Sequence, residues 1–322
     1  MRTLELVNPI RSMEISKLIL GTSDFGTAIS KEQGFSCMDY YFENGGTTID
    51  TANIYGRWGE EHQAVSEIII GNWMKERNNR ENVRIITKGL HPYMLSLDFP
   101  RVSEKAIVED VEDSLNNLKT DYIDIYLLHR DDKNVEVGEL MEQLHKYVTQ
   151  GSIKIIGASN WTVERILEAN KYARDKNLTP FSVSSIEWSL AQTTKEFDVF
   201  SDLPHMDSTE IKKYMDIQIP VLAWSAIANG IITKVIENGE ASLKENVRNK
   251  FYNKVTRNRI ENVRIIMEKT KLNSTQLSLG YITNHMLSGA AIIGCSSLEQ
   301  LKKSMEAADV VIDKKDVMFL ES

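Results

Sequence analysis

The chain has 322 residues, 42% apolar and 26% charged, with 38 basic against 46 acidic side chains. A net charge of −8 argues against a nucleic-acid or anionic-membrane surface. Two cysteines (Cys37 and Cys295) make no disulfide framework, residues 1–8 have no signal-peptide core, and no apolar run approaches the ~18 residues of a membrane helix, so a cytoplasmic protein is expected.

In chain order, residues 17–22 form an apolar run ended by Gly21, the form of a buried strand. Residues 32–43 have helical spacing, with Phe35, Met38, Tyr41 and Phe42 on one side and Gly45-Gly46 as the stop. Residues 47–50 are a second strand, and a helix from about Glu60 carries Val65, Ile68, Ile69 and Trp73. Residues 82–88 are the third strand, and Ser103 caps a helix through Ile107, Val111, Leu115 and Leu118. Residues 122–129, 153–158, 181–186, 220–224 and 290–294 are five further strands. Helices are predicted over 136–150, 161–175, 207–216, 258–271 and 274–288, and Ser297 opens a last one. Residues 191–206 and 227–254 read as irregular insertions.

Short apolar strands alternating with amphipathic helices imply parallel βαβ units. Eight of them fit a closed (β/α)8 TIM barrel, one domain over residues 1–322, better than an open doubly wound sheet. No Gly-x-Gly-x-x-Gly follows any strand, so the open-sheet dinucleotide fingerprint is missing. The barrel has a chemical consequence. Asp50, Lys88 and His129 each close a strand, and Tyr55 lies in the loop leaving one, so all four converge on one face. A phenol titrates near 10 in water. An ammonium held by a carboxylate lowers that value, which would make Tyr55 a proton donor at neutral pH.

Six segments in order resemble the aldo-keto reductase superfamily: Asp50 to Gly56, Ile85 to Lys88, Tyr122 to His129, Gly151 to Asn160, Val221 to Ser225, and Ile292 to Leu301. The resemblance implies that Tyr55 is the proton donor, Lys88 and Asp50 tune it, and His129 orients a substrate carbonyl. It also implies a nicotinamide cofactor, NADP or NAD. Ser159 and Asn160 match the pair that bonds the carboxamide, and Trp224 takes the place of an aromatic that stacks on the nicotinamide. Gly21, Thr22 and the Ser225-to-Gly230 loop fall at further cofactor contacts, with Ser296 and Ser297 at the phosphate region. Two departures follow. Ser185 stands where a glutamine usually bonds the carboxamide, so that contact is shortened or water-mediated. Ser296 and Gln300 stand where many members carry basic residues, so a guanidinium grip on a 2′-phosphate is missing and both cofactors stay open. Gln300 also fits a capping box opened by Ser297, and Lys302 or Lys303 is a further phosphate candidate.

The implied reaction reduces an aldehyde or ketone, or runs in reverse. The substrate is a small carbonyl compound, and the loop residues Asp24, Phe25, Trp58, His91, Tyr93, Arg130, Asp131 and Trp188 point towards a sugar or other hydroxylated carbonyl. Arg130 and Asp131 are adjacent and are expected to pair with each other. Trp188 reads as core or pocket wall, and His62, His91, His145 and His205 as surface or loop residues without metal-ligand spacing. Residues 129–134 have the wrong spacing for a kinase catalytic loop. Two other classes stand beside the reductase: a cofactor-binding regulatory subunit, and a lyase using Lys88 as a Schiff-base nucleophile.

Overall fold

The computed structural model describes residues 1–58, 63–93, 96 and 99–322. An antiparallel hairpin comes first, β1 (Thr3–Val7) and β2 (Ser12–Ser16). Eight parallel strands then follow: β3 (Leu18–Gly21), β4 (Thr48–Asp50), β5 (Arg84–Gly89), β6 (Ile123–Leu128), β7 (Ile153–Ser159), β8 (Ser184–Glu187), β9 (Val221–Trp224) and β10 (Gly289–Gly294). They close in the order β10-β3-β4-β5-β6-β7-β8-β9, the expected (β/α)8 barrel.

Alternation along the strands makes two cores. Ile19, Ile86, Ile125, Leu127, Ile155, Val183 and Leu222 fill the barrel interior, where Leu4, Leu6, Met13 and Ile15 of the hairpin join them. Residues such as Leu18, Leu20, Ile85 and Ile156 face outwards and pack under the helices.

The first helices are α1 (Lys31–Glu43), α2 (Val65–Arg77), α3 (Glu104–Leu118), α4 (Val137–Gln150), α5 (Val163–Asp175) and α6 (Ser208–Ile217). Their starts are written in the chain. Ser30, Ser103, Thr162 and Asp207 each accept a backbone N–H of the first turn through the side chain.

Several expectations are corrected. The hairpin was not foreseen. The start expected for α2 falls outside the described residues; residues 63 and 64 are not helical, and Ile69, Ile70 and Trp73 make its buried face, with Ile68 half-buried. The stretch 227–254 is not irregular, since it holds α7 (Ile231–Asn238) and α8 (Glu245–Phe251). The next two helices are α9 (Lys254–Thr270) and α10 (Ser274–Thr283), the latter ending five residues earlier than expected at Asn284. Ser297 does cap α11 (Leu298–Met305), but α12 (Lys314–Glu321) lies beyond it. Among the described residues no helix is long and apolar enough to cross a membrane.

Candidate active site

The carboxyl ends of the barrel strands surround a cavity of about 980 Å³. That is the upper end of the usual range for ligand sites, ~300–1,000 Å³. Asp50, Tyr55, Lys88 and His129 all line it, as the strand-end argument required.

Asp50 ends β4 and Lys88 lies next to last in β5, so their side chains meet across neighbouring strands. The Lys88 ammonium is 2.8 Å from Asp50 Oδ1 and 2.7 Å from Oδ2, and it also donates to the Thr51 carbonyl at 2.8 Å. Its remaining direction faces the Tyr55 hydroxyl at 3.4 Å. Burial works against this ammonium, but Asp50 and the phenol outweigh it and hold its pKa above the ordinary lysine value.

The loop carrying Tyr55 is tied down on both sides. Thr51 and Asn53 donate backbone N–H bonds to Ile86 and Lys88, and Asn53 and Arg57 both bond Asp113. Gly56 turns this loop at φ 91°, and a Cβ there would lie 2.9 Å from the Val65 Cβ, so only glycine fits.

The phenol departs from the sequence expectation. Burial raises the Tyr55 pKa above the ordinary value, and Lys88 pulls it back only in part while Asp50 pushes it further up. Tyr55 is therefore a neutral O–H donor at neutral pH, and its lysine keeps the phenolate less costly than burial alone would make it. His129 is neutral as well. Burial, then Arg130 and His91, hold its imidazole well below the usual histidine range. His91 packs edge-on against it at 4.9 Å, and its own pKa is pushed down to about 4 by burial and Arg130. His91 is thus a half-buried loop residue in the cavity wall.

The residues expected to meet a nicotinamide gather around one amide. Asn160, held at φ 62°, donates to the His129 carbonyl at 3.2 Å and to Ser159 Oγ at 3.1 Å. Its Oδ1 accepts the Trp224 indole N–H at 3.0 Å. Trp224, partly exposed to the cavity, rests on the interior core. Gly21, Thr22, Ser159, Asn160, Trp224, Ser225, Ser296 and Gln300 all line the cavity. Ser185 is not among its lining residues; it is fully buried and donates to the Leu222 carbonyl at 3.0 Å. Register explains this, because Ser185 pairs with Leu222 and its hydroxyl is turned into the sheet.

The cavity's phosphate end also differs from expectation. Ser297 caps α11 through Gln300 N, but the Gln300 side chain accepts from Ser296 N and Oγ, both at 2.7 Å, so the reciprocal half of the box is absent. Lys302 and Lys303 are exposed and outside the cavity. Besides Lys88, the lysines that line it are Lys234 in α7 and Lys244 just before α8, in the segment read as irregular. The Ile231, Ile232, Val235 spacing closed by Gly239 was the overlooked signal for that helix. Ser225 and Asn229 take left-handed φ of 54° and 56° in this wall, local strain of the kind that gathers at binding sites. These donors, together with an indole face, fit a dinucleotide: a flat ring on Trp224 and two cations for phosphate charge.

The substrate side is more apolar than the loop residues implied. Trp58, Val199, Phe200 and Leu203 rim the cavity beside Asp24, His91 and Arg130. Phe25 and Trp188 are core, Tyr93 stacks under Arg101, and Asp131 pairs with Arg165 at 3.3 Å instead of with Arg130.

A buried ionic group secures that rim. Glu187 at the end of β8, Asp198 and His205 place their ligand atoms within 4.8 Å of one another. His205 Nε2 is 2.6 Å from Asp198 and 3.1 Å from Glu187, while the Lys250 ammonium bridges the same carboxylates at 2.9 and 3.0 Å. Two cations balance two anions. His205 is buried, contrary to expectation. Burial alone would lower its pKa, but the two carboxylates raise it above the model-peptide value. Its stabilising effect is therefore full below ~6.5 and is lost as pH rises through the raised folded value. The Tm advantage of wild type over His205→Gln is expected to be largest below ~6.5 and to shrink as pH rises beyond it. An advantage that stays constant with pH would refute the charged pair.

Comparison with known proteins follows from this geometry. The family model described as Aldo/keto reductase family matches residues 17–322. The chain is similar to an uncharacterized oxidoreductase, YrpG, of Bacillus subtilis, 28% identical over 96% of this chain and 92% of that one. It is similar to the norsolorinic acid reductase stcV of Emericella nidulans, 27% identical over 98% and 80%. An NADP(+) aryl-alcohol dehydrogenase of Phanerodontia chrysosporium is 26% identical over 96% and 82%.

Proposed function

The chain belongs to the aldo/keto reductase family and is an NAD(P)-dependent oxidoreductase, and on that premise we propose that it interconverts an aryl aldehyde or ketone and its alcohol. The observation that carries the reading is the Asp50–Lys88–Tyr55 chain beside neutral His129, in a cavity that Lys234 and Lys244 also line. Trp224, Ser159 and Asn160 are the residues that would hold a reduced nicotinamide, which would supply the hydride. Tyr55 and His129 donate hydrogen bonds to the carbonyl oxygen, where negative charge grows as the carbon is reduced. Tyr55 O–H then passes its proton to that oxygen, and Lys88 stabilises the phenolate left behind. Ser159 and Asn160 hold the carboxamide edge, with no contribution from Ser185.

The aryl preference replaces the sugar reading. Its support is the rim of Trp58, Val199, Phe200 and Leu203, which offers a planar ring apolar contact and leaves few partners for several hydroxyls. One relative bears a name in the same chemical class, an aryl-alcohol dehydrogenase. A Schiff-base role for Lys88 is disfavoured, because its ammonium is protonated, engaged by three oxygens and raised in pKa, the opposite of an activated amine.

The test is turnover of benzaldehyde with each reduced cofactor, followed by loss of nicotinamide absorbance. Absence of turnover with both would favour a regulatory subunit. Lys234 and Lys244 lead us to expect NADPH to be preferred by about ten-fold in kcat/KM, near one charge-assisted bond. Lys244→Ala should erase that preference; equal use of both cofactors by wild type would count against it.

A further inference from the structure

We propose that Arg130 is a specificity-determining residue that binds a carboxylate carried by the aryl carbonyl substrate; the inference rests on the reductase reading above. Arg130 follows His129 directly and lines the cavity, partly buried. One of its N–H groups donates to the His129 carbonyl at 2.9 Å, and its guanidinium lies 5.7 Å from the centre of the Phe200 ring. Among the described residues those contacts leave most of its five donors without a protein acceptor.

The contrast with its neighbours is what makes this notable. Arg57, Arg101 and Arg165 sit in loops or helix starts on the same face, and each is ion-paired, with Asp113, Asp110 and Asp131. Arg130 has no carboxylate within 4.0 Å among the described residues. Asp202 acts on it only from farther away, and of the acids that line the cavity Asp50 is taken by Lys88 while Asp24 lies towards Cys295. His91 and His129 are neutral, so among the described residues Arg130 is a cation near Tyr55 without an ion-pair partner.

A guanidinium removed from water with no counter-charge is costly, and an incoming anion relieves that cost. Its planar fork fits a carboxylate in bidentate fashion, better than an ammonium would. The ring between carboxylate and carbonyl would lie against Phe200 and Trp58, so the substrate is gripped at both ends. The carbonyl meets Tyr55 and His129 while the acid meets Arg130.

The test compares 4-carboxybenzaldehyde with benzaldehyde under the same cofactor. Wild type is expected to prefer the carboxylated compound by about ten-fold or more in kcat/KM. In Arg130→Met that preference should fall to about one, with the change in KM, and Arg130→Lys should restore part of it. If Arg130 serves instead as an electrostatic aid to Tyr55, both substrates lose equally and the preference survives, which would overturn the proposal. Binding of benzoate, measured calorimetrically against benzyl alcohol, reads the same site without turnover. Benzoate affinity lost in Arg130→Met supports the assignment even if neither aldehyde is reduced, whereas affinity unchanged by the substitution sinks it.

Discussion

Tyr55→Phe is expected to lower kcat for carbonyl reduction by about a hundred- to ten-thousand-fold, the range over which a positioned acid contributes. Cofactor affinity and Tm should change little. The hydroxyl makes one protein contact, at 3.4 Å to Lys88, and the ring of phenylalanine keeps the packing against Trp58 and His129. A variant that reduces aldehyde as fast as wild type would remove Tyr55 from its role. The direction of the Tyr55 shift adds a sign to the pH profile. Because the phenol is raised by burial, its acid form persists through neutral pH, so reduction holds there and alcohol oxidation gains as pH climbs towards the phenolate.

Lys88→Met acts on stability as well as chemistry. It leaves the Asp50 carboxylate buried without its cation, and breaking such a pair costs ~3–5 kcal/mol. The expected result is a large fall in the urea midpoint together with loss of turnover. Asp50→Asn combined with Lys88→Met should recover much of the stability and none of the activity, since no buried charge remains but the phenol has lost its lysine. If the double variant is as unstable as the single one, the cost lies in packing and the ion pair is not its source.

The tetrad was legible because it depends on topology more than on detail. Each residue ends a strand or follows one, and closing parallel strands into a barrel brings those ends together whatever the loops do. The strands themselves were legible as short apolar runs, buried on both sides. The hairpin is visible in the sequence as the Leu4, Leu6 and Met13, Ile15 alternation around Asn8-Pro9. Ser185 could not be placed from sequence, since a one-residue matter of register decides whether its hydroxyl meets the cavity or the sheet. Lys234, Lys244, Val199 and Leu203 were illegible for a different reason. They reach the cavity through long insertions whose folding depends on distant partners, such as Lys250 holding Asp198 and Glu187.

The hairpin β1–β2 has a consequence for traffic. Its apolar face stoppers the lower end of the barrel, and the interior above it is filled up to the underside of Trp224. The site is a blind well. On the proposed function a cofactor and a substrate would both leave by the strand-end side of the barrel, so whichever lies beneath the other would wait. Substitutions at the rim residues Trp58 and Phe200 can therefore alter the residence of a ligand they never touch.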